Sequence, residues 1–422
     1  MSSYSGNSSS YYSTSESSSG EDASNENSKS YKPGGYAPVS VGEVLDNRFR
    51  IIRKLGFGQF SIVYMAYDYT SQKFYALKIN KSDKWCTMAA NDEIEILNKL
   101  NNSSCTSLVS HFKYTSMFGE HIVLVFNIYG ETLYRILRDN NYAGLPSNVV
   151  KSISVDILHA LKHLNERGII NTDIKPENIL IKNPNKKINH LISKYKCPPI
   201  TEGIKILDRH PLTMSDSQKS KYNKLKRNGV KLPQADDDVS DEDEEGYISR
   251  IQHTVLSDFG NACTVDNHHS SKICTRQYKP PENILSTDYD TSADIWSFGC
   301  VVYEMLTGSV LFRPEIYEKG DKKELDDSHL ASILEITGGD VTIYKDGKYF
   351  GDFAREDGSL RFINHLRRTS LSTKIKMNSN LSNKEAKEWA NFILYMLEFD
   401  YKKRPTAKDI LNKYEEWIKL IL

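Results

Sequence analysis

The stretch Asn171-Thr172-Asp173-Ile174-Lys175-Pro176-Glu177-Asn178 constrains this chain more than any other. It sets a carboxylate and a carboxamide five positions apart with a lysine between them, on one loop bracketed by the apolar runs Ile169-Ile170 and Ile179-Leu180-Ile181. That spacing suits a loop that holds a substrate hydroxyl against a nucleotide phosphate. Asp173 accepts the hydroxyl proton, Lys175 offsets charge on the transferred phosphoryl group, and Asn178 holds a magnesium ion. Taken alone, the same residues could form an ordinary polar turn. The decision rests on whether the rest of such a site is found in order.

Length leaves room for it: 422 residues suffice for two or more cooperative units with a large core. The formal net charge is zero, so no overall field favours nucleic acid or membrane, and recognition by charge must come from local clusters. Cys86, Cys105, Cys197, Cys263, Cys274 and Cys300 form no C-x-x-C pair, which fits free thiols in a reducing compartment. The start, with serine and tyrosine and neither a basic opening nor an apolar stretch, leads us to expect no secretory leader, and the sequence holds no run of about 18 apolar residues such as a spanning helix needs. These features lead us to expect a soluble intracellular protein.

Residues 1–30 hold 14 serines among Gly, Asn and acidic residues, too little apolar surface to offset ordering entropy. A disordered tail is expected over 1–35, with Tyr31 to Pro38 leading into the folded part. Phe49–Leu55, Ile62–Tyr67 and Phe74–Ile79 read as strands of an antiparallel sheet. Between the first two lies Gly56-Phe57-Gly58-Gln59-Phe60-Ser61, where glycines permit close backbone approach to phosphates and an aromatic tip can cover them. Ser61 takes the place of a third glycine. Val63 and Ala76 can pack on an adenine ring, and Lys78 in its apolar strand needs an acidic partner. Glu93 is the candidate, on a helix over Met88–Leu100 whose stripe includes Ile94 and Leu97. Ile122–Phe126 reads as a buried strand that ends a first lobe (36–130), with Phe126 at the back of the pocket and Asn127 to Tyr129 as the hinge. A long amphipathic helix through Val149, Ile153, Ile157, Leu161 and Leu164 then opens the second lobe (131–182).

Over 183–250 a basic stretch (Lys219 to Lys231) precedes an acidic one (Asp236–Asp238, Asp241–Glu245). Opposite charge blocks with few apolar residues imply a largely disordered spacer, open to regulatory partners, with Ser240 suited to an acid-directed kinase. The fold resumes over 251–422 with the strand Thr254–Ser257 and then Asp258-Phe259-Gly260, whose carboxylate can chelate the metal that bridges the phosphates. The run from Asp294 to Leu306 is apolar almost all round and reads as a buried helix, capped by Thr291 or Ser292 and stopped at Gly308. Asp294 is placed to accept amide hydrogens from the loop at Asn171. Glu282 and Arg404 are expected to form a buried ion pair.

In this order and spacing the motifs resemble the eukaryotic protein kinases, over roughly 45–182 and 251–415, and they match the general kinase motif set. The resemblance implies a bilobal α+β fold, with a small antiparallel sheet and one main helix in the first lobe and a mostly helical second lobe. It also implies an ATP- and Mg2+-dependent serine/threonine kinase. More closely, GGYAPVSVGE, RKLGFGQFSIVYMAYD, TMAANDEIEIL, FGNAC and TRQYKPPE look like the SR-protein kinases, which phosphorylate Arg/Ser-rich splicing factors. On that likeness the partners are Arg/Ser-rich proteins, with no nucleic acid or membrane, and the chain is a monomer. Thr172 stands where most kinases carry arginine, as in that family, so activity should not require a phosphorylated activation segment. Asn171 replaces the usual histidine, and Phe259 stands where many of the family carry leucine. Ser309 and Ser328 stand where docking carboxylates are expected, with Asp327, Glu315, Glu318 and Glu335 nearby and Lys319, Lys322 and Lys323 diluting them. Another substrate class, or a non-catalytic scaffold, are the competing readings.

Overall fold

The computed structural model describes residues 28–100, 103–195, 248, 251, 253–315, 322–363 and 365–419. The tail before Ser28 and the charge blocks of the spacer lie outside these residues.

The first lobe is one six-stranded antiparallel sheet. Its strands are β1 (Val44–Leu45), β2 (Phe49–Phe57), β3 (Ser61–Asp68), β4 (Lys73–Asn80), β5 (Leu108–Ser116) and β6 (Gly119–Phe126), in the order β1-β2-β3-β4-β6-β5. Period-two alternation gives the sheet two faces. One buries Ile51, Ile62, Tyr64, Leu77, Ile79, Val123 and Val125 around Tyr36 and Ala37. Val63, Ala76 and Lys78 alternate with these and so face the other side. Residues 28–35 are already fastened to this lobe, since Gly34 N–H donates to Phe118 O and Ser82 N–H to Gly35 O. The folded part therefore begins before residue 36. β5 had no counterpart in the sequence reading.

Helix α1 (Lys84–Lys99) starts ahead of Met88 because Asp83 caps it, accepting the Trp85 and Cys86 N–H groups at 3.0 Å. Its inner face buries Ala90, Glu93, Ile94, Ile96 and Leu97.

The second lobe opens with α2 (Leu133–Asp139) and α3 (Ser147–Asn165), followed by β7 (Ile169–Ile170), β8 (Ile179–Ile181) and α4 (Lys186–Lys194). After β9 (Thr254–Leu256) and β10 (Cys263–Thr264) come α5 (Pro281–Leu285), α6 (Ser292–Thr307), α7 (Lys322–Thr337), α8 (Phe350–Phe353), α9 (Leu371–Met377), α10 (Asn383–Met396), α11 (Ala407–Lys413) and α12 (Glu415–Lys419). β7 pairs with β10 and β8 with β9, so the loop 171–178 is clamped between two small antiparallel ribbons. All 16 residues of α6 are buried, as an all-round apolar helix must be. Its end needs glycine: Gly308 is left-handed at φ 68, and a Cβ there would lie 1.7 Å from Tyr142 O. Its start differs from expectation. Neither Thr291 nor Ser292 caps α6 through its side chain; Asp290 accepts the Ser292 N–H, while the Thr291 hydroxyl accepts from Asn165.

The spacer also begins differently. Where disorder was expected from 183, α4 is capped by Asn185 and places Leu191, Ile192 and Tyr195 against Ile52, Met65, Tyr67, Phe74 and Ile128 of the first lobe. Burying such side chains is worth about 1.5–3 kcal/mol each, enough to hold a short helix that its own propensity would not.

Candidate active site

The site is assembled where the cleft-facing side of the sheet meets the loop between β7 and β8. Lys78 on β4 reaches Glu93 of α1 at 2.8 and 2.9 Å and Asp258 at 2.8 Å, so one ammonium joins three segments far apart in sequence. Burial pulls the Lys78 ammonium toward neutrality, but the Asp258 and Glu93 carboxylates outweigh it and hold the lysine charged. The Lys78 charge keeps Asp258 below the usual carboxylate range. Asp258 has φ 56 and its side chain is 45% exposed, so a carboxylate is presented to the cleft on left-handed backbone.

Asp173 is gripped from several sides. Its backbone N–H donates to Asn171 Oδ1 at 3.1 Å, and its carboxylate lies 2.7 Å from Lys175 Nζ and accepts the Thr275 hydroxyl at 2.7 Å. Asn178 Nδ2 donates to the Asp173 carbonyl at 2.9 Å and its carboxylate at 3.3 Å. That fixes the amide flip and leaves the Asn178 side-chain oxygen as the acceptor available to a cation. The whole loop hangs on Asp294, whose two oxygens accept the Asn171 and Thr172 N–H groups at 2.7 and 2.9 Å. Burial pushes Asp294 up to about 7 against those two bonds. Asn171 Nδ2 also donates to the Asp258 carbonyl at 3.3 Å, so an amide takes up the link to that turn.

Protein contacts fasten the segment from Asp258 to Glu282. Thr172 Oγ1 donates to Asn261 O, and Cys274 N–H donates to Thr172 O, both at 2.9 Å. Thr275 then ties to Asp173. Farther out, Arg404 holds Glu282 with bonds of 2.8 and 3.0 Å, both side chains wholly buried.

In the glycine turn, a Cβ on Gly56 or Gly58 would meet no protein atom within 4 Å, so no packing demand accounts for either glycine and open space adjoins both. Phe57 and Phe60 are exposed at the tip, with Lys54 4.4 Å over the Phe57 ring. Gln59 sits between them, and Ser61 opens β3 opposite Asn80. Val63 pairs with Lys78, and Ala76 lies between Met65 and Phe126. Asn127 is exposed at the hinge, whereas the Tyr129 hydroxyl accepts the Ser107 N–H at 3.2 Å, leaving the hinge backbone rather than that phenol to meet a ligand.

An oxygen-donor pair, the Asn178 amide and the Asp258 carboxylate, fits a hard divalent cation that keeps water and phosphate ligands. Among the described residues no cluster of three or more His, Cys, Asp or Glu forms a metal cage.

On the docking side, Ser328 Oγ accepts the Glu315 N–H at 3.0 Å and Glu335 accepts the Arg367 N–H at 2.7 Å. Asp327 is buried rather than exposed, and burial raises it to about 6. Lys323 pairs with Asp352 at 3.4 Å; Glu318 and Lys319 lie outside the described residues.

Two residues escaped the sequence reading. Thr275 reaches Asp173 across 102 positions, and Tyr36 bonds to the Gly58 carbonyl. Neither contact leaves a local pattern.

The profile of the protein kinase domain matches residues 49–208 and 247–418. The serine/threonine-protein kinase SRPK of Physarum polycephalum is 32% identical, with 91% of this chain and 89% of that protein aligned. SRSF protein kinase 3 of Homo sapiens is 26% identical, with 91% and 89% aligned. Serine/threonine-protein kinase spk-1 of Caenorhabditis elegans is 29% identical, and this chain spans only 50% of its length. A crystal structure of a kinase domain superposes with TM-score 0.64 at 25% identity, covering 92% of this chain and 99% of that one.

Proposed function

We propose, for a chain that belongs to the protein kinase domain family and within it to the SR-protein kinases, that it transfers the γ-phosphoryl group of Mg2+-ATP to serines in Arg/Ser-rich proteins. It is a serine/threonine protein kinase using ATP and a divalent metal. The observation that carries the mechanism is the simultaneous engagement of Lys78 by Glu93 and Asp258 across the cleft. In that arrangement Lys78 neutralises the donor phosphates, with the glycine turn above them. Val63 and Ala76 line the base, with Phe126 behind it and the backbone of Asn127 to Tyr129 at the hinge. Asn178 and Asp258 would hold the magnesium, which would supply charge neutralisation to the phosphates when bound. Asp173 orients the incoming serine and accepts its proton, while Lys175 faces the transferred group. Catalysis is then positioning and fixed charge, with little covalent work for the protein.

Activity without activation-segment phosphorylation is part of this reading. The support is that Thr172, Cys274 and Thr275 hold the segment through backbone and hydroxyl contacts. The SRPK and SRSF-kinase relatives support an SR-protein substrate, while on the docking side Ser309 and Ser328 carry no charge and Asp327 is buried. We therefore infer weak docking with few phosphates added per encounter, by a monomer acting in cytoplasm and nucleus. The test compares an arginine–serine repeat peptide with a lysine–serine version. Bidentate guanidinium recognition predicts strong preference for arginine; equal rates would move the enzyme to another substrate class.

A further inference from the structure

A residue outside the lobe's strands is bonded to the glycine turn. The segment before β1 packs on the sheet face opposite Lys78, with the Tyr36 ring among Ile62, Leu77 and Ile79. Its hydroxyl donates to the Gly58 carbonyl at 2.6 Å, with the Gln59 carbonyl farther off at 3.5 Å. Lys81 Nζ sits 4.4 Å over the Tyr36 ring, and its own N–H donates to the Phe60 carbonyl at 2.9 Å.

These contacts dictate where the turn's N–H groups point. The Gly58 carbonyl and the Gln59 N–H belong to one planar trans peptide, so they point in opposite directions. With the carbonyl drawn to the Tyr36 side of the sheet, the Gln59 N–H is directed to the side on which Lys78 lies. Among the described residues that N–H donates to no protein acceptor. Were the peptide reversed, a carbonyl oxygen would face the same space. An N–H there attracts an anion and a C=O repels it, so the peptide's orientation sets the sign of the local field.

We propose that Tyr36 is a positioning residue for the phosphoryl donor: its hydroxyl locks the Gly58–Gln59 peptide with the Gln59 N–H toward the nucleotide's β- and γ-phosphates. Tyr36 touches no reacting atom. Burial lifts its phenol above the ordinary tyrosine range, so it stays protonated and can serve as the donor. This inference rests on the nucleotide reading above and goes beyond it by assigning a second, remote element to phosphate recognition.

The test is Tyr36→Phe in the full chain, with affinities measured for ATP and ADP in magnesium buffer and for adenosine. Loss of one net hydrogen bond holding the peptide predicts three- to tenfold weaker ATP and ADP binding, roughly the worth of such a bond. Adenosine binding should be unchanged, and the KM for ATP should rise while that for peptide does not. The ratio of ATP to adenosine affinity is the readout, because partial misfolding lowers both alike. Unchanged ATP affinity, or equal weakening of adenosine, overturns the role of Tyr36 while leaving the kinase reading intact. A wild-type chain that fails to bind ATP sinks both.

Discussion

Two buried ion pairs in this molecule use the same chemistry to different ends. Arg404 and Glu282 are both fully buried and fully engaged: the guanidinium meets both Glu282 oxygens and the Ser292 and Glu398 carbonyls and lies 5.0 Å over Trp296. Lys78 sits between two carboxylates, one of them 45% exposed, so its cluster carries one cation against two anions. A closed, neutral pair fixes a lobe; an open cluster with excess negative charge is arranged to receive a cation and a nucleotide. Burial alone does not separate structural from functional charge. Completeness of partners does.

The sharpest way to break this contrast is in the loop that serves the open cluster. Asp173→Asn should lower turnover about 10²–10⁴-fold, the worth of a placed proton acceptor, with the fold intact by circular dichroism. Unchanged kcat would remove Asp173 from the chemistry. Next comes the closed pair: Glu282→Gln leaves a buried guanidinium without its counter-charge and should cost about 3–5 kcal/mol in urea denaturation. A loss below about 1 kcal/mol, the scale of an exposed pair, would place this pair with surface salt bridges. A smaller effect is expected at Leu191, where truncation to Ala should cost about 2 kcal/mol because α4 packs on the first lobe. No change would mean that the helix merely lies alongside. Last, phosphatase treatment of enzyme prepared from cells should leave activity unaltered, since Thr172 holds its segment through Asn261 and Cys274. Abolished activity would restore a requirement for phosphate.

Much of this was legible before any coordinates because it was written in short-range pattern. Short β-branched and aromatic runs gave β2, β3 and β4, a continuous apolar run gave β6, and all-round apolarity gave α6. The loop at 171–178 names its own chemistry. β5 alternates partly buried and exposed positions, with Phe112 and Tyr114 on the first lobe's core, but it was missed because Ser110 at an inward position and Val109 at an outward one break the hydrophobic pattern. α4 was missed although Ile188, Leu191, Ile192 and Tyr195 keep helical spacing; the surrounding charge of the spacer outweighed a stripe whose partners lie in the other lobe. Thr275 and Tyr36 could not be found at all from spacing, because what they do depends on partners brought near only by folding, a carboxylate for Thr275 and a carbonyl for Tyr36.

Thermal melting of wild type and Asp258→Asn, with and without magnesium and a non-hydrolysable ATP analogue, tests the open cluster most directly. Measured from each protein's own ligand-free midpoint, the account predicts a clear rise for wild type with both added and a rise largely lost in the variant, because binding to the folded state alone stabilises it. An equal ligand-induced rise in both proteins would contradict it, since Asp258 would then hold neither metal nor nucleotide.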